Sequence, residues 1–200
     1  MIGVGMTELA LSPPWDADLF LHAYGFAARA HGEQRMPGRA RLPYAVHIGT
    51  VAMEICAALT VNKFSNPNLA VQCALLHDVL EDTNTDYPTL SAAFDAQIAD
   101  GVLALTKEHQ RAKSDAMSDS LVRIKAQPKE VWAVKLADRI TNLQPPPETW
   151  PLDKRQAYCD EAELILWELE SCSGYLAERL RQKIVIYRAR YCDAENSTTT

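Results

Sequence analysis

The chain lacks most of the features that announce a familiar function class. Among its 200 residues there is no CxxC pair: Cys56, Cys73, Cys159, Cys172 and Cys192 stand far apart and odd in number. That spacing excludes a thiolate zinc finger or a disulfide framework and reads as reduced intracellular thiols. No Gly-rich phosphate loop, internal repeat or period-two alternation of strand length is present. Basic charge is not in excess: the net charge is -6, which argues against a general nucleic-acid coat. Met1 to Leu11 has no basic leader, and no apolar run reads as long enough to cross a bilayer. The expectation is a cytoplasmic protein without membrane or nucleic-acid partners, a monomer or homodimer.

What is present is helical periodicity. Nearly half the residues are hydrophobic, enough for one domain with a sizeable core. Asp16 and Asp18 suit a first helical turn, Leu19, Ala23, Phe26, Ala27 and Ala30 follow at helical spacing, and Gly32 suits the stop. Further helices are expected over about 43–59, 69–80, 89–94, 98–105 and 113–125. Another starts at Pro128 and is ended by Pro145-Pro146-Pro147, and two more cover about 152–169 and 175–191. The expected architecture is all-α, a single-domain bundle of eight to ten helices over 15–193. An extension precedes it at 1–14, and a frayed polar tail follows at 194–200. The four tryptophans read as core or rim packing, and His22 and His109 as surface residues.

The most informative stretch is Ala74 to Thr83, ALLHDVLEDT, apolar at first and then dense in ionisable groups. Residues three and four apart are neighbours on a helix, so Asp78 would face Glu81 and Asp82. Three crowded carboxylates repel, and a divalent metal is the simplest positive partner. The helix after Pro128 is similarly apolar yet holds Lys135, Asp138, Arg139 and Asn142, and buried charges need partners. Between the first two helices, Arg35, Arg39 and Arg41 form a basic loop, either a solvated surface or an anion-binding rim.

Taken together, His47, His77-Asp78 and Asp138 resemble the H…HD…D pattern of the HD-domain metal-dependent phosphohydrolases. His77 to Thr83 resembles the HDxxEDT motif of the RelA/SpoT alarmone hydrolases. Pro43 to His47 is similar to that group's PYxxH, and Val134 to Asn142 to its VKLADRxxN. The likeness, which runs from about Ala27 to Ala162, is to the stand-alone small hydrolases, including the metazoan SpoT homologue type. It implies that His47, His77, Asp78 and Asp138 hold one Mn2+, a set without thiolate that also suits Fe2+ or Zn2+. Glu81 and Asp82 would orient and deprotonate the attacking water. Asn142 would contact the nucleotide sugar, and Lys154 with Tyr158 substrate phosphate and ribose. His31, Arg35, Lys135, Arg139 and Lys154 are the cations available to meet developing charge.

The implied reaction is hydrolysis of the 3′-pyrophosphate of guanosine tetra- or pentaphosphate, (p)ppGpp. Two places depart from the pattern. Beyond Asn142, Gln144-Pro145 stands where the group often has a basic residue and a Thr. Arg35-Met36-Pro37 stands where the group carries adjacent basic residues that clamp guanine. An adenine alarmone, (p)ppApp, or a 2′-phosphorylated nucleotide such as NADPH therefore fits the same machinery. A catalytically silent nucleotide sensor is the reading from another class. It would call for a lost ligand or a lost acid, and neither is lost.

Overall fold

The computed structural model describes residues 13–37, 41–107 and 113–193, with side chains at 113–116 left aside. Most of the expected extension and the whole tail, together with Arg39 and His109, lie outside the described residues. Within them the chain forms ten α-helices and one 3-10 turn, with a single isolated bridge between Arg35 and Pro43 in place of any sheet.

α1 (Ala17–His31) begins under an Asp16 side chain that accepts from the amides of Asp18 and Leu19. It ends at Gly32, whose φ of 48° is a left-handed value that glycine adopts without strain. α2 (Tyr44–Val61) and α3 (Pro67–Leu76) follow, and every residue of α3 from Leu69 to Leu76 is buried. α1 and α2 pack on α3, and α8 (Lys129–Asn142) packs on both α2 and α3. The core therefore lies around α3, which has no polar side to give to water. α5 (Tyr87–Ala93) and α6 (Ala96–Leu105) cover one flank, α7 (Lys113–Lys125) leans on α6, and α9 (Leu152–Leu169) with α10 (Gly174–Tyr191) covers the other.

Two expectations about this core are corrected. The third helix does not run on through His77-Asp78. α3 stops at Leu76, His77 and Asp78 form a turn, and α4 (Val79–Asp82) is one further turn. Asp78 sits at the N-cap of α4 with φ -103° and ψ -1°, yet its carboxylate caps nothing. An Asp at that position ordinarily contributes about 1 kcal/mol by capping, so its side chain is committed elsewhere. The second correction concerns α2, which at 18 residues and a mean hydropathy of 1.5 is long and apolar enough to span a bilayer. Here it is a core helix, packed on α1, α3 and α8 and carrying the buried residues His47 and Glu54.

Buried charges are paired across helices. Glu54 receives the Arg179 guanidinium, with Nε at 2.7 Å from Oε2, which ties α2 to α10. Glu130 at the start of α8 accepts from the Asn66 amide at 2.7 Å, and Asn66 in turn caps α3. Arg123 of α7 donates to the carbonyls of Leu103, Ala104 and Thr106, closing the exposed end of α6. That contact fixes where the chain leaves α6 and so where Lys107 lies. Trp167 departs from the packing expectation, since it is 76 % exposed on α9.

α6 approaches α3 closely at Gly101. A Cβ added there would stand 2.9 Å from Cys73 Sγ and 3.0 Å from Val131 Cγ2, both on buried residues. Alanine would gain up to about 1 kcal/mol of helix propensity, but overpacking a core of this kind costs about 1–3 kcal/mol. Gly101→Ala is therefore expected to lower stability, read as an earlier urea midpoint; an unchanged or later midpoint contradicts the packing.

Candidate metal centre

Three helices deliver the four residues of the H…HD…D pattern to one point. His47 comes from the first turn of α2, His77 and Asp78 from the turn between α3 and α4, and Asp138 from α8. The two imidazole Nε2 atoms are 3.2 Å apart. Asp78 Oδ2 lies 2.9 Å from His77 Nε2 and 3.5 Å from His47 Nε2. Asp138 Oδ1 lies 3.5 Å from His47 Nε2 and 3.8 Å from His77 Nε2. Around an ion with bonds of about 2.1 Å, adjacent octahedral ligands stand about 3 Å apart and opposite ones about 4.2 Å. The observed spacings fall in that range. His47, His77 and Asp78 form the tightest group, with ligand atoms within 4.8 Å of one another.

The lone pairs are aimed by outer contacts. His77 Nδ1 donates to the Ala74 carbonyl at 2.8 Å, which fixes one ring proton there and turns Nε2 toward the cluster, where its lone pair is open to a cation once the second ring proton has left. Tyr44 donates its phenol to Asp78 Oδ2 at 2.6 Å. Burial and the adjacent Asp78 carboxylate push the Tyr44 hydroxyl far above its ordinary range, so it remains a donor. Lys135, itself buried, donates to Asp138 Oδ2 at 3.3 Å, and the Asn142 amide donates to Asp138 Oδ1. Two imidazoles and two carboxylates, with no thiolate, form a donor set that suits a borderline or hard divalent cation.

Electrostatics agree. Burial alone would lower the His77 pKa, but the Asp78 carboxylate, with help from Asp138, raises it to about 9. Burial works against ionisation of Asp78, yet the His77 charge and three hydrogen bonds hold its carboxyl well below the usual range. Asp138 is likewise held low, by Lys135 and His77 against its burial. A proton on His77 thus serves as the positive partner of two carboxylates when no cation is there.

Next to this group a cavity of about 170 Å³ is walled by Glu81, Asp82, Lys107, Lys135 and Asn142. Glu81 Oε2 accepts from the Lys107 amide at 2.8 Å, and burial raises the Glu81 carboxyl above its usual value. Asp82 is exposed at the rim, where Gln34 Nε2 lies 3.5 Å from Oδ2. The remaining sequence candidates are more dispersed. Arg35 is exposed and pairs with Glu33 at 3.3 Å. Arg139 is 3 % exposed; it pairs with Glu161 and stacks at 4.4 Å on the Tyr158 ring, so it does not line the cavity. Lys154 is exposed over the Trp150 ring at 4.2 Å. Tyr44, Gln34 and the Lys107 amide were not singled out from sequence. Tyr44 stood in the PYxxH block, whereas the other two contacts join segments distant in the chain.

Residues 45–143 match the family model described as HD domain. Over that stretch, just under half of its length, the chain is similar to HD domains, for which a divalent metal is implied. More particularly, it is similar to guanosine-3′,5′-bis(diphosphate) 3′-pyrophosphohydrolase MESH1. The human protein is 28 % identical over 83 % of this chain and 93 % of its own length. The Danio rerio protein is 27 % identical over 82 % and 91 %. The pyrophosphohydrolase of Aquifex aeolicus is 29 % identical over 66 % of this chain but only 18 % of its own. A solved structure described as a metazoan ortholog of SpoT that hydrolyzes ppGpp superposes with a TM-score of 0.75. At 22 % identity it covers 88 % of this chain and 98 % of that one, and it supports the fold.

Two outcomes follow for the metal. Tyr44→Phe removes the donor to Asp78 and is expected to weaken divalent-ion affinity about 10–100-fold, the usual effect of losing an outer-shell partner; titration calorimetry checks this, and unchanged affinity contradicts it. The raised His77 pKa fixes a pH dependence. In the metal-free chain its stabilising contribution is complete below pH 6.5 and is lost as pH rises through about 9. A cation must displace that proton, so affinity is expected to rise with pH up to about 9. Calorimetry in buffers of different ionisation enthalpy reads the released proton; pH-independent affinity contradicts the assignment.

Proposed function

We propose that this chain is a Mn2+-dependent 3′-pyrophosphohydrolase of guanosine 3′,5′-bis(diphosphate), releasing pyrophosphate and leaving GDP, or GTP from the pentaphosphate. The observation that carries this reading is the convergence of His47, His77, Asp78 and Asp138 beside a cavity lined by Glu81 and Asp82. The relatives named for this activity cover most of the chain. When bound, the divalent ion supplies Lewis-acid polarisation of a phosphoryl oxygen and of the attacking water.

The chain's own residues supply the rest. Glu81 has one oxygen held by the Lys107 amide, so the other is available to take the proton of water. Its raised pKa brings it nearer the range in which a carboxylate is an effective general base at neutral pH. Asp82 orients the same water from the rim. Attack at phosphorus breaks the bond to the 3′ oxygen, which leaves with the proton that Glu81 took from water, and Glu81 returns to its carboxylate form. Lys135, its ammonium close against Asp138 and lining the cavity, meets the charge that develops on the phosphoryl oxygens. At about 170 Å³ the cavity is smaller than the roughly 300 Å³ or more of a site that encloses a whole ligand. It takes the diphosphate end and leaves the nucleoside at the rim. Asn142, Lys154, Tyr158 and Arg35 are proposed to serve there. Arg139 would contribute through the Tyr158 ring on which it lies. Five cysteines, none of them paired, fit a cytoplasmic setting for this activity.

A second reading keeps the chemistry and changes the base. Arg35 is turned to Glu33, and Met36-Pro37 follows it, so the loop offers fewer free cations than the group's guanine clamp. An adenine alarmone or NADPH is the alternative substrate. Purified protein with Mn2+ is tested on ppGpp, ppApp and NADPH, with products identified. The leading reading expects pyrophosphate and GDP from ppGpp, no product with Asp78→Ala, and a kcat lower by about 10²-fold or more with Glu81→Gln. Intact ppGpp after prolonged incubation with Mn2+ bound rejects that substrate, and turnover of another nucleotide alone establishes the second reading.

A further inference from the structure

The metal cluster and the cavity leave a buried imidazole beside them without a task. His31, the last residue of α1, is 6 % exposed, and its Nε2 has no hydrogen-bond partner among the described residues. Its other nitrogen is firmly engaged: Nδ1 stands 2.7 Å from Gln34 Oε1. A carboxamide oxygen only accepts, so the ring proton must sit on Nδ1. That decides the orientation of the Gln34 amide. With Oε1 taken by His31, Nε2 is the end that faces Asp82 Oδ2, at 3.5 Å. The opposite orientation would set a carbonyl against a carboxylate.

The same imidazole also lies flat on Tyr44, with ring centroids 4.6 Å apart and planes 23° apart. Tyr44 is the donor to Asp78. Backbone pairing locks the two partners of His31 together. The Tyr44 amide donates to the Gln34 carbonyl at 3.0 Å, and the Met36 amide to the Leu42 carbonyl at 2.8 Å. The Gln34 amide closes on the His31 carbonyl at 2.9 Å through the left-handed turn at Gly32. One short segment thus places Gln34 against Asp82 and Tyr44 against Asp78, with His31 wedged between the two side chains.

We infer that His31 and Gln34 are positioning residues, and that the Nδ1 proton of His31 orients the Gln34 amide so that it donates to Asp82 and holds that acid at the cavity rim. Asp82 needs such a partner. It is exposed, and Gln34 is the one side chain among the described residues seen to donate to it. A freely rotating carboxylate would aim water poorly. The 3.5 Å separation is long for a hydrogen bond in the free protein, and contacts of this kind commonly tighten in the substrate complex. The inference rests on the role proposed for Asp82.

The test combines kinetics with a readout that needs no substrate. In the full-length protein, long-range 1H–15N correlation of the His31 ring is expected to show the proton on Nδ1. Gln34→Glu keeps the shape and replaces the donor by an acceptor. It is expected to lower kcat by about 10-fold or more, with KM and metal affinity changed by less than about twofold. His31→Leu is expected to lower kcat similarly, whereas His31→Asn, which keeps an N–H near the Nδ1 position, retains kcat within about threefold. A proton on Nε2, or Gln34→Glu with wild-type kcat, overturns the inference. So does a loss of metal affinity as large as the loss of rate, because the segment would then act on the cation. If the His31 variants do not fold, Gln34→Glu and the ring tautomer decide. If the wild type hydrolyses no alarmone the functional reading fails, while the tautomer still decides whether Gln34 is held as described.

Discussion

Two imidazole nitrogens 3.2 Å apart, flanked by two carboxylates, are a favourable arrangement only around positive charge. The rest of the molecule is arranged to permit that convergence. α3 surrenders every polar side so that its end can be driven into the interior, where His77 and Asp78 break the helix. α2 brings His47 and α8 brings Asp138 to the same point, and these three helices are packed directly on one another. Buried ion clusters do not stabilise a fold by themselves, because desolvation offsets most of the attraction. Here the apolar surroundings supply stability, and the cluster is held in place by donors from Tyr44, Lys135 and Asn142 and by the Ala74 carbonyl, which accepts from His77.

Placement also underlies the division of labour proposed for the acids. Asp78 and Asp138 are buried against cations and hydrogen-bond donors and stay ionised, which suits ligands. Glu81 is half-buried, and there burial together with the Asp78 charge outweighs the Lys107 amide and the Lys107 and Lys135 charges and raises its pKa, which suits proton transfer. Two environments one turn apart thus suit carboxylates of the same chain to the opposite tasks proposed for them. Glu81 is met by the Lys107 amide and Asp82 by the Gln34 side chain, two segments distant in the chain.

Much of this was legible in the residues. The all-α character, the bounds of α9 and the order of the three motif blocks could be read directly, because apolar periodicity and Pro or Gly stops act locally. The charges read on α8 signalled partners, and Lys135 has Asp138 while Arg139 has Glu161. What could not be read depends on contacts between distant segments. Periodicity runs straight across His77-Asp78, so the break appears only once the Asp78 carboxylate is drawn to Tyr44 and the imidazoles. Arg139 reads as a cation for substrate, but a helix buried on nearly all sides does not say which way a side chain turns, and it turns to Tyr158. α2 passes for a membrane span because hydropathy records composition and not the helices that cover it.

The account is tested most directly by locating the cation. Crystals of the protein grown with Mn2+ and measured at the manganese absorption edge should show one strong anomalous peak per chain. It should lie within bonding distance of His47 Nε2, His77 Nε2 and carboxylate oxygens of Asp78 and Asp138. A peak outside that group, or bonded to the imidazoles with Asp138 turned away, would contradict the claim on which fold, site and chemistry all depend.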